Sequence, residues 1–122
     1  MEATEILELD PEILRCAVLD DAGRIISYAE SEKGKLAKLP ANFSVTIKAL
    51  AIQSLSQAMP KELGSVKFNV VVTDKYRLVT MMILGQTVMF VLPLQVGTDS
   101  ICDAAIKKFT NIPVASSSFS RP

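Results

Sequence analysis

At 122 residues, of which 49% are hydrophobic and 21% charged, the chain is long enough to form one domain with a full buried core. Its 13 basic and 13 acidic residues balance and are scattered along the sequence, which argues against a charged surface for nucleic acid or for an anionic membrane. The N-terminal residues lack the positive region that begins a signal peptide, so we expect one domain over residues 1–112 in the reducing cytoplasm.

The first part of the chain predicts a short helix followed by a hairpin of two strands. Residues 2–9 mix apolar and acidic side chains in a helical pattern, which Pro11 ends or redirects. Residues 14–20 and 24–29 are apolar enough for strands, and the sequence Asp-Asp-Ala-Gly at 20–23 is typical of the turn between them.

The middle of the chain predicts a loop and then a long helix. Residues 30–42 are rich in charged side chains, and we expect them to form a solvated connection. Residues 43–59 repeat apolar side chains at helical spacing, and Pro60 ends this helix. One apolar stripe of the helix is expected to pack on the core. A second stripe beside it consists of Val45, Ala49 and Ile52.

Three strands are predicted next, at residues 66–73, 76–84 and 87–94. In the first of them alternate residues share one apolar face, while the opposite face is more polar, as expected of a strand at a sheet edge. The turn between the last two strands is expected at Gly85 and Gln86.

One segment resembles a membrane span by hydropathy, because residues 78–98 contain no charged side chain. The turn residues at its centre and Pro93 near its end instead favour two strands. We therefore expect a buried hairpin over residues 78–94.

The last predicted element is a helix that begins after Thr98, whose side chain is suited to capping it. Asp99 in its first turn and Lys107 and Lys108 in its last agree with the helix dipole. The Ser-rich residues 113–122 have neither periodicity nor bulk, and we expect them to be disordered.

The residues needed for catalysis or metal binding are scarce. There is no histidine, which removes the commonest general base and the commonest metal ligand. Cys16 and Cys102 lie in apolar stretches without further soft ligands, so we interpret both as core residues. We predict no catalytic residue, no cofactor and no metal.

The remaining candidate groups also have simpler interpretations. The carboxylate pair Asp20 and Asp21 fits a hairpin turn, and Glu30 with Glu32 fits a solvated loop, better than either fits acid–base catalysis. Three strand methionines, Met81, Met82 and Met89, are interpreted as ordinary core residues.

The predicted order of helix, two strands, helix, three strands and helix indicates an α+β fold, a five-stranded antiparallel sheet with helices on both faces. This order resembles the roadblock and longin families, whose profilin-like sheet has strand order 2-1-5-4-3. The closest local resemblance is residues 14–26, Leu-Arg-Cys-Ala-Val-Leu-Asp-Asp-Ala-Gly-Arg-Ile-Ile, which look like the opening hairpin of roadblock proteins. Residues 9–13, Leu-Asp-Pro-Glu-Ile, resemble the start of an uncharacterised archaeal family of the same build.

The resemblance to roadblock proteins implies a non-catalytic, dimeric adaptor for small GTPases, motors or signalling assemblies. The alternative is a small-molecule sensor of the PAS type, with a pocket between sheet and helices. Such a pocket needs convergent polar groups, for which Tyr28, Tyr76 and Gln86 are the candidates.

A homodimer is predicted through the strand of residues 66–73, which lies at the sheet edge in the strand order of the resemblance. This strand has no proline and no glycine, and it has a run of three valines that favours strand pairing. The predicted interface residues are Val45, Ala49, Ile52, Val66, Phe68, Val70, Val71 and Val72.

Overall fold

The computed structural model describes residues 1–39, 61–64 and 66–110 of the chain. Its elements in chain order are α1 (Ala3–Leu7), β1 (Arg15–Leu19), β2 (Ile25–Glu30), α2 (Glu32–Ala37), a single 3₁₀ turn (Lys61–Leu63), β3 (Phe68–Val72), β4 (Tyr76–Ile83), β5 (Gln86–Pro93) and α3 (Asp99–Thr110). The predicted helix of residues 43–59 and the predicted tail of residues 113–122 lie outside the described residues.

The five strands form one antiparallel sheet in the order β2-β1-β5-β4-β3. A row of directly opposed residues crosses all five strands and defines the first face of the sheet: Ala29, Cys16, Phe90, Val79 and Val70. The predicted α+β fold and its strand order are therefore confirmed.

Helices α1 and α3 pack on the first face of the sheet. Ile6 of α1 and Cys102 of α3 are fully buried in one apolar cluster with the strand residues of that face. On the second face Ala17 and Met89 are buried in a separate cluster, against which Ala37 at the end of α2 packs. Burying both faces explains why β1 and β5 read as nearly continuous apolar runs.

The uncharged segment is a hairpin, as predicted. Strands β4 and β5 pair along their whole length, from Tyr76 opposite Pro93 to Ile83 opposite Gln86. The turn itself is Leu84 and Gly85, one residue earlier than predicted, and both residues have positive φ, as a type I′ turn requires. In the described part of the chain, no helix is long and apolar enough to cross a membrane.

The predicted loop of residues 30–42 is wrong over its first half, where α2 forms. Ser31 begins this helix, since its hydroxyl oxygen accepts a hydrogen bond from the N–H of Gly34 at 3.0 Å. Lys38 ends it in the left-handed conformation, with φ of 53°. The helix is held to the sheet because the backbone N–H of Ser31 donates to the carbonyl of Leu14 at 2.9 Å.

One strand boundary and one helix cap differ from the predictions. Strand β3 begins at Phe68, two residues later than expected. Helix α3 begins at Asp99, and the Thr98 carbonyl accepts the first helical hydrogen bond, from Cys102 N at 3.1 Å. The buried hydroxyl of Thr98 has no hydrogen-bond partner among the described residues, so the predicted side-chain cap is not formed there.

Candidate interaction surface

Strand β3 forms one edge of the sheet. It pairs on one side with β4, in a register that runs from Phe68 opposite Met81 to Val72 opposite Arg77. On its other side it has no strand partner among the residues that the structure describes. The N–H and C=O groups along a sheet edge are a template on which another chain can pair.

The side chains of β3 divide between core and solvent. Phe68 and Val70 are partly buried and pack against the apolar cluster of the first face. Val71 lies on the second face and is 38% exposed, and Val72 at the end of the strand is 56% exposed. Val66, just before the strand, is 41% exposed. Two of the five predicted interface residues in this segment thus contribute to the protein's own core.

The other three predicted interface residues, Val45, Ala49 and Ile52, lie outside the described residues. The contribution of their helix to a dimer stays a prediction.

The end of β3 is fixed by the turn that follows it. The hydroxyl oxygen of Thr73 accepts a hydrogen bond from the N–H of Tyr76 at 3.0 Å, and the Thr73 N–H donates to the Tyr76 carbonyl at 2.9 Å. The edge strand therefore has a defined end, and the charged residue Lys67 lies directly before its first residue.

Two grooves separate β3 from helix α3. One, of about 550 Å³, is lined by Val70, Val72 and Arg77 together with residues 97–100 at the start of α3. The other, of about 410 Å³, lies between the segment before β3, the tip of the β4–β5 hairpin and the last turns of α3. The β3 edge is thus flanked by open surface.

The two thiols are placed for packing rather than for chemistry. Cys16 and Cys102 are fully buried in the cluster of the first face, as the core interpretation predicts. Burial raises the pKa of both thiols, that of Cys102 to about 12, with smaller contributions from Asp103 and Asp99. Both groups therefore stay protonated at neutral pH and are poor nucleophiles.

The carboxylate pairs have structural roles at Asp20 and Glu30. Asp20 closes the β1–β2 turn by accepting hydrogen bonds from the N–H groups of Arg24 and Ala22, each at 2.9 Å, and the pKa of its carboxyl is lowered chiefly by the bond to Arg24. Glu30 forms an ion pair with Arg15, which is almost fully buried. In the described ranges, no group of three His, Cys, Asp or Glu residues is arranged to hold a metal ion.

The candidate donors of a sensor pocket do not converge. Tyr28 lies on edge strand β2 and is 44% exposed. Tyr76 and Gln86 lie at opposite ends of the β4–β5 hairpin, roughly 20 Å apart at strand spacing. The structure thus gives the sensor alternative no support.

No protein-family model matches the sequence, and no curated protein sequence matches it. Solved structures do match. A roadblock/LC7 domain from Streptomyces avermitilis has a TM-score of 0.66 at 15% sequence identity, with 89% of each chain covered. The chain has a roadblock-like fold. The gliding protein MglB from Thermus thermophilus gives a TM-score of 0.56 at 14% identity, over 90% of this chain and 87% of that one. MglC from Myxococcus xanthus gives 0.54 at 15% identity, over 88% of each.

The fold is also similar to that of a profilin. LokiProfilin2, solved in complex with rabbit actin, gives a TM-score of 0.53 at 10% identity over 89% of this chain and 93% of that one. Identities this low establish the fold of the roadblock-like domain and no more. The resemblance of residues 9–13 to an archaeal family stays a prediction.

Two exposed apolar residues of the roadblock-like domain were missed from the sequence. Met82 was interpreted as core, but it is 51% exposed, whereas Met81 and Met89 are buried. Leu84 at the hairpin turn is 70% exposed. The sequence feature that indicates an unusual residue at Leu84 is its position directly before Gly85. Asparagine or aspartate is the usual residue at that position of such a turn.

Proposed function

We propose that this roadblock-like domain is a non-catalytic adaptor that acts as a homodimer, joined through the edge of β3 and the predicted helix of residues 43–59. The observation that carries the proposal is the β3 edge, which has Val71 and Val72 exposed on its two faces and no strand beside it in the described part of the chain. Natural sheet edges are normally blunted by charges, prolines or bulges, and this one is not.

The register of the dimer follows from strand geometry. Two copies of β3 related by a two-fold axis pair antiparallel, and opposed residues share a face. If the two-fold axis passed through Val71, Lys67 would lie opposite Lys75 of the second copy, and like charges in opposed positions are destabilising. If the axis passed through Val70, all five residues of β3 would pair, and Phe68 would lie opposite Val72 of the second copy. We therefore favour this second register.

Light scattering at micromolar concentration tests the dimer. We expect the wild type to have the mass of two chains and Val71→Lys the mass of one, because lysine at this position brings a buried charge into the pairing. Ile26→Lys is the matched control, since Ile26 is 49% exposed on the opposite edge strand and should leave the mass at two chains. A wild type with the mass of one chain would contradict the proposal, and a dimer unaffected by Val71→Lys would move the interface elsewhere.

The partner classes that the roadblock resemblance implies, small GTPases and signalling assemblies, belong to the same proposal. One related structure, described as MglB with a tetrameric arrangement, supports assembly as a property of proteins with this fold. A pull-down from native lysate, followed by identification of both proteins and extracted metabolites, separates an adaptor from a small-molecule sensor. A single bound metabolite without a protein partner would favour the sensor.

A further inference from the structure

The tip of the β4–β5 hairpin combines backbone strain with an exposed apolar side chain. Leu84 has φ of 52° and Gly85 has φ of 77°, which are the left-handed values of a two-residue hairpin turn. Glycine, asparagine and aspartate adopt this conformation at little cost, whereas leucine does so at a distinct cost. Leu84 is 70% exposed, so packing within the protein offsets little of that cost. Strain of this kind is often found at functional sites.

Leu84 lies in the groove of about 410 Å³ described above, which we call the hairpin groove. Among the described residues, four other apolar side chains line it: Val66 before β3, Met82 and Ile83 on β4, and Ile106 on α3. Val66 and Met82 are 41% and 51% exposed. The hairpin groove is therefore an open surface with several apolar side chains from three segments of the chain.

The charges of the hairpin groove indicate what it binds. Lys67 and Lys107 line it from opposite sides, both are exposed, and neither forms an ion pair within the described residues. Asp103 is the single acidic residue among the described residues that line it. An occupant that carries carboxylates next to apolar side chains would complement both features.

We propose that the hairpin groove binds a short acidic and apolar segment of a partner protein, with Leu84 and Ile106 as apolar contacts and Lys67 and Lys107 as ion-pair partners. The proposal rests on the adaptor role proposed above but not on the pairing of β3. A second copy of this chain fits less well, because two hairpin grooves facing each other across a two-fold axis would bring four lysines together.

Two synthetic peptides of twelve residues test the proposal by NMR titration of the full chain. They share the same leucine positions, and their polar positions are all glutamate in one and all lysine in the other. We expect the glutamate peptide to bind about tenfold more tightly and to shift the amide signals of Leu84, Gly85 and Lys107. Its affinity should fall as salt is added, because the lysines are exposed.

Leu84→Asn separates binding from folding. Asparagine tolerates positive φ, so we expect this variant to raise the midpoint of thermal unfolding by about 2 °C or more and to weaken the glutamate peptide about tenfold. Leu36→Asn is the matched control, because Leu36 is 81% exposed on α2, which does not line the groove, and should leave peptide affinity unchanged.

Several outcomes would overturn the proposal: no binding of either peptide, equal binding of both, signals that shift elsewhere, or Leu84→Asn that binds normally or unfolds at a lower temperature. The monomeric Val71→Lys variant should still bind the glutamate peptide. A wild type that fails to dimerise but binds this peptide contradicts the homodimer alone, and a dimer that does not bind it contradicts the hairpin groove alone.

Discussion

The two edge strands of the sheet differ in how they are protected. At β2, the N–H of Ala3 in α1 donates to the hydroxyl of Ser27 at 2.8 Å, and Glu30 pairs with the buried Arg15 of the neighbouring strand. The pairing of β2 with β1 also has an irregular register between Val18 and Leu19, and such bulges blunt an edge. Strand β3 has none of these features among the described residues.

Exposed apolar side chains alone do not distinguish the two edges. Ile26 and Tyr28 on β2 are 49% and 44% exposed, compared with 38% for Val71 on β3. The difference lies in the contacts around each strand, because a helix and an ion pair hold β2, while β3 is bonded to β4 alone in the described sheet. The contacts around the backbone therefore distinguish the two edges in the described part of the chain, and they are the reason why the proposed dimer is placed at β3.

The largest expected effect comes from breaking the attachment of α2 next to β2. A Cβ atom added to Gly34 would overlap the carbonyl of Leu14, and neither backbone can move without losing the Ser31 to Leu14 hydrogen bond. We expect Gly34→Ala to lower the free energy of unfolding by about 3 kcal/mol, a fall of about 10 °C in the midpoint of thermal unfolding. Denaturant and thermal unfolding measure this.

Gly97→Ala is the control for that change. Nothing lies within 4 Å of a Cβ atom at Gly97, and its φ is not in the left-handed region. Gly97→Ala should therefore change the free energy of unfolding by no more than about 0.5 kcal/mol. If the two alanine variants were equally stable, the close approach of α2 to the Leu14 carbonyl would not exist in solution.

Removing the ion pair of β2 should have the next largest effect. The Arg15 side chain is 9% exposed and also donates to the Leu39 carbonyl at 3.0 Å, so Glu30→Gln leaves a buried charge without its carboxylate. We expect a loss of about 2 kcal/mol in the free energy of unfolding. Lys33→Gln, which breaks the half-exposed pair with Glu12, should cost at most about 0.5 kcal/mol. Equal losses would mean that burial of Arg15 has no energetic consequence.

The five strands could be predicted from the sequence because apolar patterns persist along whole strands, and their order followed from the resemblance to roadblock proteins. Helix α2 could not be predicted in either way. The signals for α2 are local and contradictory: Ser31 favours a helix start, but Gly34 disfavours a helix interior. Its position depends on contact with Leu14, which is distant in sequence. For the candidate surface, the strand order of the resemblance and the polar second face of the strand indicated β3 as an edge, but the burial of Phe68 and Val70 depends on where α3 packs.

A smaller effect on the free energy of unfolding is expected from changes in the apolar cluster of the first face, which lies between the two edge strands. Cys16 and Cys102 are buried on the first face, and replacing each by alanine removes one sulfur atom from the packing. We expect each replacement to lower the free energy of unfolding by about 1 kcal/mol. The mass of the proposed dimer measured by light scattering should not change. A folded double variant that lost dimerisation or a binding activity would show that the thiols do more than pack.

The smallest effect concerns the turn that leads into β2, and it depends on pH. The pKa of Asp20 is lowered in the folded protein, chiefly by the N–H of Arg24, so its carboxylate stabilises the fold above its unfolded pKa of about 3.9, and this contribution is lost as the pH falls through the folded pKa. Asp20→Asn keeps an acceptor oxygen but not the charge that faces the Arg24 guanidinium, whose Nε lies 2.9 Å from Asp20 Oδ2. The wild type should therefore unfold at a higher temperature than Asp20→Asn at pH 6, and the difference should shrink steadily as the pH is lowered towards 2. Asp21→Asn, at an exposed neighbour without a hydrogen bond to the described residues, is the control and should change the unfolding temperature less at pH 6. A difference between wild type and Asp20→Asn that stayed constant from pH 6 to pH 2 would show that the charge of Asp20 does not stabilise the turn.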